Sequence, residues 1–125
     1  MNNLHTAILS ARVLMVVVIL CLVSAATPLS RAAAPLTIRV VNNSSLEISR
    51  LYLAPANSDD WGADQLGGVA ISPGVTRTIN VSWDQPSIKL VGEDSEGCFT
   101  STTVSASGEL EWTITGDSPR NCGHQ

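Results

Sequence analysis

Hydrophobic and polar residues alternate with a period of two along most of the chain from Leu36 onward, and no ten-residue segment there carries a helical apolar stripe. A period of two, in segments rich in β-branched residues, is typical of half-buried β-strands. Polar or proline-containing turns divide the pattern into about seven short predicted strands, at residues 36–41, 46–53, 69–71, 76–83, 88–91, 98–105 and 110–115.

The succession of strands and turns predicts the fold class. Because no helices separate the strands, a parallel βαβ arrangement is excluded and a sandwich or a barrel remains. We therefore expect an all-β fold, a small immunoglobulin-like antiparallel β-sandwich of about seven strands. Turn-forming residues at 42–45 and 93–97 predict a hairpin between the first two strands and another between strands 88–91 and 98–105.

The N-terminal quarter has a different pattern, an uninterrupted apolar run at 13–23 that follows Arg12 and precedes three small residues. This arrangement is typical of a secretory signal peptide, and the run is well short of the roughly 20 residues that cross a bilayer. We expect a signal peptide at 1–26 that is cut after Ala26. A cut after Ala32 and a retained membrane anchor are the alternatives.

Cleavage would leave residues 27–35 as a linker and 36–125 as a single β-sandwich domain. It would also remove Arg12, so that the net charge of −4 becomes −5, with six basic side chains against eleven acidic ones. Nucleic acid and anionic lipid attract a positive patch, so this charge balance argues against both as partners. After cleavage we expect no stable membrane anchor.

The predicted domain contains two cysteines, Cys98 and Cys122. In an exported protein, periplasmic or extracellular, two cysteines most often pair, and closing a loop of this length stabilises the fold by roughly 3 kcal/mol. We expect a disulfide that ties the C-terminal tail to the start of the penultimate strand. Two free thiols, or a metal pair with His124, are the alternatives, although no CxxC spacing supports a metal site.

One polar loop, residues 54–68, combines carboxylates with an aromatic ring, and its candidate binding residues are Asp59, Asp60, Trp61 and Asp64. Three carboxylates can begin a calcium site, but their spacing is not that of an EF-hand, so we expect no metal. In a structural interpretation, Trp61 covers an open end of the sandwich and Asp64 caps a short turn. In a functional interpretation, the indole stacks on a sugar or on a partner side chain.

Several short motifs flank and include this loop. The chain reads LYLAP at 51–55, WG at 61–62 and SPG at 72–74, with Asp64 in between. This pattern resembles a group of small bacterial proteins that carry signal peptides and whose function is unknown, and the resemblance covers residues 38–82. It implies an exported β-sandwich and is silent on activity. After Trp83 the chain departs from that group, because Ser87-Ile88 stands where an aromatic–Asp pair would open the next strand and Glu96-Gly97 stands where an Asp-Gly hairpin is expected.

Catalytic chemistry finds little support in the sequence. The predicted mature chain has one histidine, His124, and no nucleophile–base pair can be built around it next to the C-terminus. The acidic residues at 93–96 belong to a predicted hairpin tip, where carboxylates are ordinarily solvated. We expect no enzyme and no cofactor, but a non-catalytic binding or interaction module that presents loop 54–68 to a protein or a glycan. A structural envelope-associated domain without a discrete ligand is the first alternative, and a hydrolase is the second.

Overall fold

A computed structural model describes residues 30–123 of the chain. The predicted signal peptide lies outside the described residues. Within 30–123 there is no helix, and hence none that is long and apolar enough to cross a membrane. The strands are β1 (Ala34–Asn43), β2 (Ile48–Pro55), β3 (Thr76–Trp83), β4 (Ser87–Asp94), β5 (Phe99–Ser105) and β6 (Glu109–Thr115).

The six strands form two three-stranded sheets, which we call sheet A, in the order β3-β1-β6, and sheet B, in the order β2-β4-β5. This arrangement confirms the predicted all-β sandwich, with six strands in place of about seven. The expected strand at 69–71 contributes a single bridge, between Ile71 and Ile48 of β2. Pro73 and Gly74 turn the chain directly after it, so there is no room for a longer ladder.

The predicted first hairpin is wrong. β1 pairs with β3 and β6, whereas β2 pairs with β4, so the turn between β1 and β2 carries the chain from one sheet to the other. Buried Asn42 holds this crossing, because its side-chain amide donates to the carbonyl oxygens of Leu46 and Ile71, each at 2.8 Å. Polar turn residues suit a hairpin and an arch between sheets equally well. The second predicted hairpin, β4 with β5, is confirmed.

One strand pair differs from the expected antiparallel arrangement. β6 lies parallel to β1, with Ile38 opposite Leu110 and Val40 opposite Trp112. The reason is the crossing from sheet B to sheet A between β5 and β6, which brings the last strand alongside the first. The other three pairs are antiparallel.

The core lies between the inner faces of the two sheets. Gly92 of β4 lies against this core, where a Cβ atom would meet Ile114, Ile48 and Trp112 at 3.4 to 3.6 Å, which are ordinary van der Waals distances. Ile38 of β1 and Leu51 of β2 are fully buried. The buried core side chains are Leu36, Ile38, Val40, Ile79, Trp112 and Ile114 from sheet A, Ile48, Leu51, Leu53, Ile88 and Leu90 from sheet B, and Leu66 and Ile71 from the connection between β2 and β3.

Irregular chain covers part of each edge of sheet B. Along β2, the backbone N–H of Leu51 donates to Asp64 at 3.0 Å and its carbonyl accepts from Gln65 at 2.7 Å. At the start of β5, Phe99 exchanges two backbone hydrogen bonds of 2.8 Å with Asn121 of the C-terminal tail. Covering an edge in this way satisfies its backbone groups and blocks further strand pairing.

Candidate functional site

The outer face of sheet B carries most of the aromatic residues of the chain. The sequence has one tyrosine, one phenylalanine and three tryptophans. The tyrosine and the phenylalanine contact the same tryptophan: ring centroids lie 5.8 Å apart for Tyr52 and Trp61, and 5.1 Å apart for Trp61 and Phe99. We call these three residues the aromatic cluster. All three are partly exposed.

The alternation of strand residues places this cluster outside the core. In β2, Leu51 and Leu53 face inward, so Tyr52 between them faces outward. Tyr52 pairs with Val91 of β4, and Phe99 of β5 pairs with Glu93 two residues further along, so these side chains share one face. β4 lies between their two strands, and a third ring bridges them across it.

The third ring comes from the loop that follows β2. The outward-facing Val91 and Ala54 are 1% and 0% exposed, although a bare sheet would leave them in water. The loop therefore folds back across the outer face and covers them. The expectation that Trp61 covers an open end of the sandwich is thus replaced by a position on the face of sheet B, because two outward aromatic rings provide the apolar surface that Trp61 packs against.

Asp64 fixes the end of this loop to β2. Its Oδ1 atom accepts from the backbone N–H groups of Leu51 and Leu66, each at 3.0 Å. The bond from Leu66 closes a short turn, as expected for an aspartate two residues before the donor. Burial opposes ionisation of Asp64, but the backbone donors outweigh it and hold its pKa below the ordinary value. Asp64 is therefore a structural residue of the loop.

Charged side chains surround the aromatic cluster. On one side, Arg50 and the Tyr52 hydroxyl both donate to Glu93 Oε2, at 3.3 and 3.2 Å. On the other, Lys89 donates to the Ser58 carbonyl at 2.9 Å and to Asp59 at 3.2 Å. These exposed pairs contribute little to stability, about 0 to 1 kcal/mol each. They give the surface a rim with both signs of charge.

Tyr52 connects the rim to the aromatic cluster. Burial of the phenol raises its pKa above the ordinary value, and the hydrogen bond to Glu93 raises it further. The hydroxyl therefore stays protonated at neutral pH and remains a donor to the carboxylate. An amphipathic ring of this kind offers both apolar contact and a polar tip.

The indole of Trp61 has an unusual polar atom. Its Nε1 is buried and donates to no acceptor within residues 30–123. A buried donor without a partner costs about 1 to 3 kcal/mol. The packing of the ring against Tyr52 and Phe99 therefore stabilises the loop enough to offset this cost.

The four predicted binding residues occupy different environments. Asp59 and Asp60 are exposed, Asp59 in contact with Lys89, while Trp61 is partly buried and Asp64 accepts from the backbone. Their carboxylates do not converge on one point. Within residues 30–123, one group of three residues has ligand atoms close enough together to hold a metal, and it is formed by other residues. The structure brings none of these aspartates together as a ligand set.

Four residues of this surface were not predicted from the sequence: Arg50, Tyr52, Glu93 and Phe99. The alternation in β2 is a signal for Tyr52, because it stands between two core leucines. The position of Phe99 at the start of β5 gives no comparable signal, since the other outward residues of that strand are serine and threonine. Only the sheet order places it beside the loop.

A second polar cluster lies at the C-terminal tail, where the expected disulfide between Cys98 and Cys122 is present. Asp94, Glu96 and Cys98 place three potential metal ligands within 4.8 Å of one another. However, the sulfur belongs to the disulfide, and Arg120 bonds Asp94 at 2.8 Å and Glu96 at 2.7 Å. The cluster is therefore an ion-paired anchor for the tail.

A small pocket of about 70 Å³ opens beside this anchor, at the end of the sandwich. The turn after β1, the end of β6 and the tail at Ser118 line it. Its charged groups, Asp94 and Arg120, already bond each other. A space of this size holds a few water molecules, far below the roughly 300 Å³ of a typical small-molecule site.

Comparison of the chain with protein-family models, with curated proteins and with solved structures finds no match.

Proposed function

We propose that the protein is a non-catalytic binding module and that the outer face of sheet B is its contact surface. The observation that carries the proposal is the position of the aromatic cluster. A domain of this size that has one tyrosine and one phenylalanine uses both on a partly exposed face, together with Trp61, and leaves the core mostly to aliphatic side chains. Partly exposed apolar patches with a polar rim are typical of interaction sites.

The residue types favour a protein partner. Aromatic rings and arginine dominate the binding energy of protein interfaces, and a polar rim around them excludes water. Here the rings of Tyr52, Trp61 and Phe99 form the centre, and Arg50 and Asp59 belong to the rim. The rings are tilted by 38° and 57° to one another, which is a poor platform for a flat polysaccharide chain.

The compartment belongs to the same proposal. We infer export to the periplasm or the cell exterior, supported by the N-terminal sequence pattern and by a disulfide that suits an oxidising compartment. The partner is then another exported or envelope protein. The resemblance to small bacterial signal-peptide proteins supports this setting and names no ligand.

A matched pair of arginine variants tests the contact surface. Arg50→Ala removes a rim guanidinium 3.3 Å from Glu93, and Arg39→Ala removes one 3.0 Å from Glu111 on the outer face of sheet A. Their side chains are similarly exposed, at 57% and 44%. The two variants therefore differ in the face that loses an arginine, which is the outer face of sheet B in Arg50→Ala and that of sheet A in Arg39→Ala.

The immobilised protein is to be exposed to detergent-free envelope extract of the producing cells and, separately, to a glycan array. We expect one retained protein whose affinity falls about tenfold or more with Arg50→Ala and is unchanged with Arg39→Ala. Equal losses in both variants, or no retained protein, would contradict the proposal. Retention of glycans alone would replace the protein partner by a carbohydrate, and binding to neither would favour a structural domain.

A further inference from the structure

β3 is the outer strand of sheet A and pairs with one strand of the described chain, β1. The pairing is regular over eight residue pairs, from Ala34 opposite Trp83 to Val41 opposite Thr76, without a bulge. The strand has no proline between Thr76 and Trp83. A long, regular edge of this kind is a template for further strand pairing.

The backbone hydrogen bonds show which residues of β3 face the free side. Thr37 of β1 donates its N–H to Gly108 at 2.9 Å, which lies on the β6 side. Its antiparallel partner is Asn80. Because both backbone groups of a residue point to one side of a strand, this pair makes no backbone hydrogen bonds between β1 and β3. The side chains do bond, since the Thr37 hydroxyl donates to Asn80 Oδ1 at 3.0 Å. The N–H and C=O of Asn80, and by alternation those of Thr78 and Ser82, therefore point away from β1.

The other edges of the sandwich are covered in part, shorter or charged. Residues 64–71 cover part of β2, and Asn121 covers the start of β5, which leaves a shorter open edge at 101–105. At the β6 edge, Glu109 places a negative charge on the outer face, where it repels a second copy of this acidic chain, whereas the charge of Glu111 is paired with Arg39. β3 differs, because its outer residues are uncharged: Thr76, Thr78, Asn80 and Ser82.

The inner face of β3 also extends the core to the edge. Ile79 is 9% exposed, whereas Val81 and Trp83 are only partly buried against the core cluster. A further strand beside β3 would cover both. Burying apolar area gains about 25 cal/mol for each Å² removed from water.

We propose that a second copy of this chain pairs with β3 in antiparallel orientation, with the two-fold axis at Asn80. Inner residues must face inner residues across the axis, which places Ile79 opposite Val81 of the second copy. The same register sets Thr78 opposite Ser82, hydroxyl to hydroxyl. It also sets Arg77, whose guanidinium donates to the carbonyl oxygens of Leu66 and Val69 in its own chain, opposite Trp83. The result is one continuous six-stranded sheet. This surface lies on sheet A, so the test of the dimer and the test of the binding face on sheet B have independent outcomes.

Lysine variants on the outer face of sheet A test this pairing. Asn80→Lys sets two positive charges against each other at the axis, and Thr113→Lys introduces the same charge on β6 as the matched control. Sedimentation equilibrium of the purified, processed protein measures the dimer dissociation constant. We expect a dimer whose dissociation constant rises about tenfold or more with Asn80→Lys and stays constant with Thr113→Lys.

A proline variant tests whether a weaker dimer in Asn80→Lys results from lost strand pairing or from loss of the fold. Asn80→Pro removes an N–H that points away from β1, so sheet A keeps its internal backbone hydrogen bonds and loses the side-chain bond from Thr37. Circular dichroism checks that the fold is kept. We expect this variant to be a folded monomer. A wild-type monomer at millimolar concentration would overturn the proposal, as would a dimer that persists in both Asn80 variants. The proposal would also be overturned if the β3 amides were protected from hydrogen exchange only by a different protein and not by a second copy of this chain.

Discussion

The indole of Trp61 lies with its centroid 5.1 Å from the ring of Phe99, the first residue of β5. Phe99 follows the disulfide-bonded Cys98 and exchanges two backbone hydrogen bonds with Asn121 in the tail. The loop after β2, the edge of β5 and the C-terminal tail therefore meet at one ring. The proposed contact surface thus depends on the disulfide as well as on the loop.

Replacing Trp61 by alanine removes the centre of the aromatic cluster. Truncation of a large buried aromatic costs about 3 to 5 kcal/mol, and Trp61 is only partly buried, so we expect a loss of about 1 to 3 kcal/mol. Trp61→Phe keeps ring packing and removes the unpartnered Nε1, so its loss is about 1 kcal/mol or less. Urea unfolding measures both. Equal losses in the two variants would contradict the packing account.

Removing the disulfide releases the tail. A Cys98→Ser, Cys122→Ser double variant loses roughly 3 kcal/mol of unfolding free energy, because the unfolded chain gains the entropy of an open loop. Hydrogen exchange should show the Phe99 amide losing more protection than the amide of Ile38 in β1, which loses only the roughly 3 kcal/mol of the global change. A uniform loss of protection across both sheets would show that the disulfide holds the whole sandwich instead of the tail.

Asn42 connects the turn between β1 and β2 to Ile71, which lies 29 residues further along the chain. Its amide donates to Leu46 and Ile71, and its oxygen accepts from the Ser44 backbone and hydroxyl. Asn42→Ala leaves these groups unpaired in a buried site, so we expect a loss of about 2 to 4 kcal/mol.

The neighbouring asparagine supplies the control for this experiment. Asn43 is exposed, so Asn43→Ala should change the unfolding free energy by about 0.5 kcal/mol or less. Chemical denaturation of both variants under one set of conditions gives the comparison. Similar values for the two substitutions would show that the Asn42 hydrogen bonds do not hold the crossing between the sheets.

Acid should destabilise the protein through two aspartates. Burial opposes ionisation of Asp94 and Asp64, but backbone donors to both, and Arg120 beside Asp94, hold each pKa below its ordinary value of 3.8. A carboxyl whose folded-state pKa is lowered stabilises the fold above its unfolded-state pKa, and this stability is lost as the pH falls through the folded-state pKa. Stability should therefore drop below about pH 4 to 5.

The pH dependence can be assigned by substitution. Asp94→Asn and Asp64→Asn each remove one titrating carboxylate, so the slope of urea midpoint against pH should flatten in both. Asp59→Asn is the control, because the Asp59 side chain is 95% exposed. If the Asp59 variant flattens the slope as much as the other two, the acid sensitivity reflects general charge and not these two sites.

Much of the sandwich can be predicted from the sequence, because a period of two assigns each strand residue to a face without knowledge of its neighbours. Ile79 faces inward and Asn80 outward for that reason. The tail disulfide is predictable because the predicted domain offers two cysteines. The hairpin at 93–97 is predictable because a short polar turn joins two strands that pair locally.

Sheet order is harder to predict, because it depends on contacts between distant segments. Asn42 looks like a turn residue, and its bond to Ile71 has no local signal. The same limit applies to the candidate surface. Trp61 is conspicuous as an aromatic in a polar loop, but its contact with Phe99 exists only because β5 lies in the same sheet as β2.

The central claim is that the outer face of sheet B contacts a partner protein. The most direct test places a photo-activatable phenylalanine analogue at Asp60, beside Trp61, and in a parallel strain at Thr113 on the outer face of sheet A. Both positions are exposed. After irradiation of living cells, we predict a discrete cross-linked protein with the probe at Asp60 and none at Thr113. The same adduct from both positions, or one from Thr113 alone, would contradict the claim.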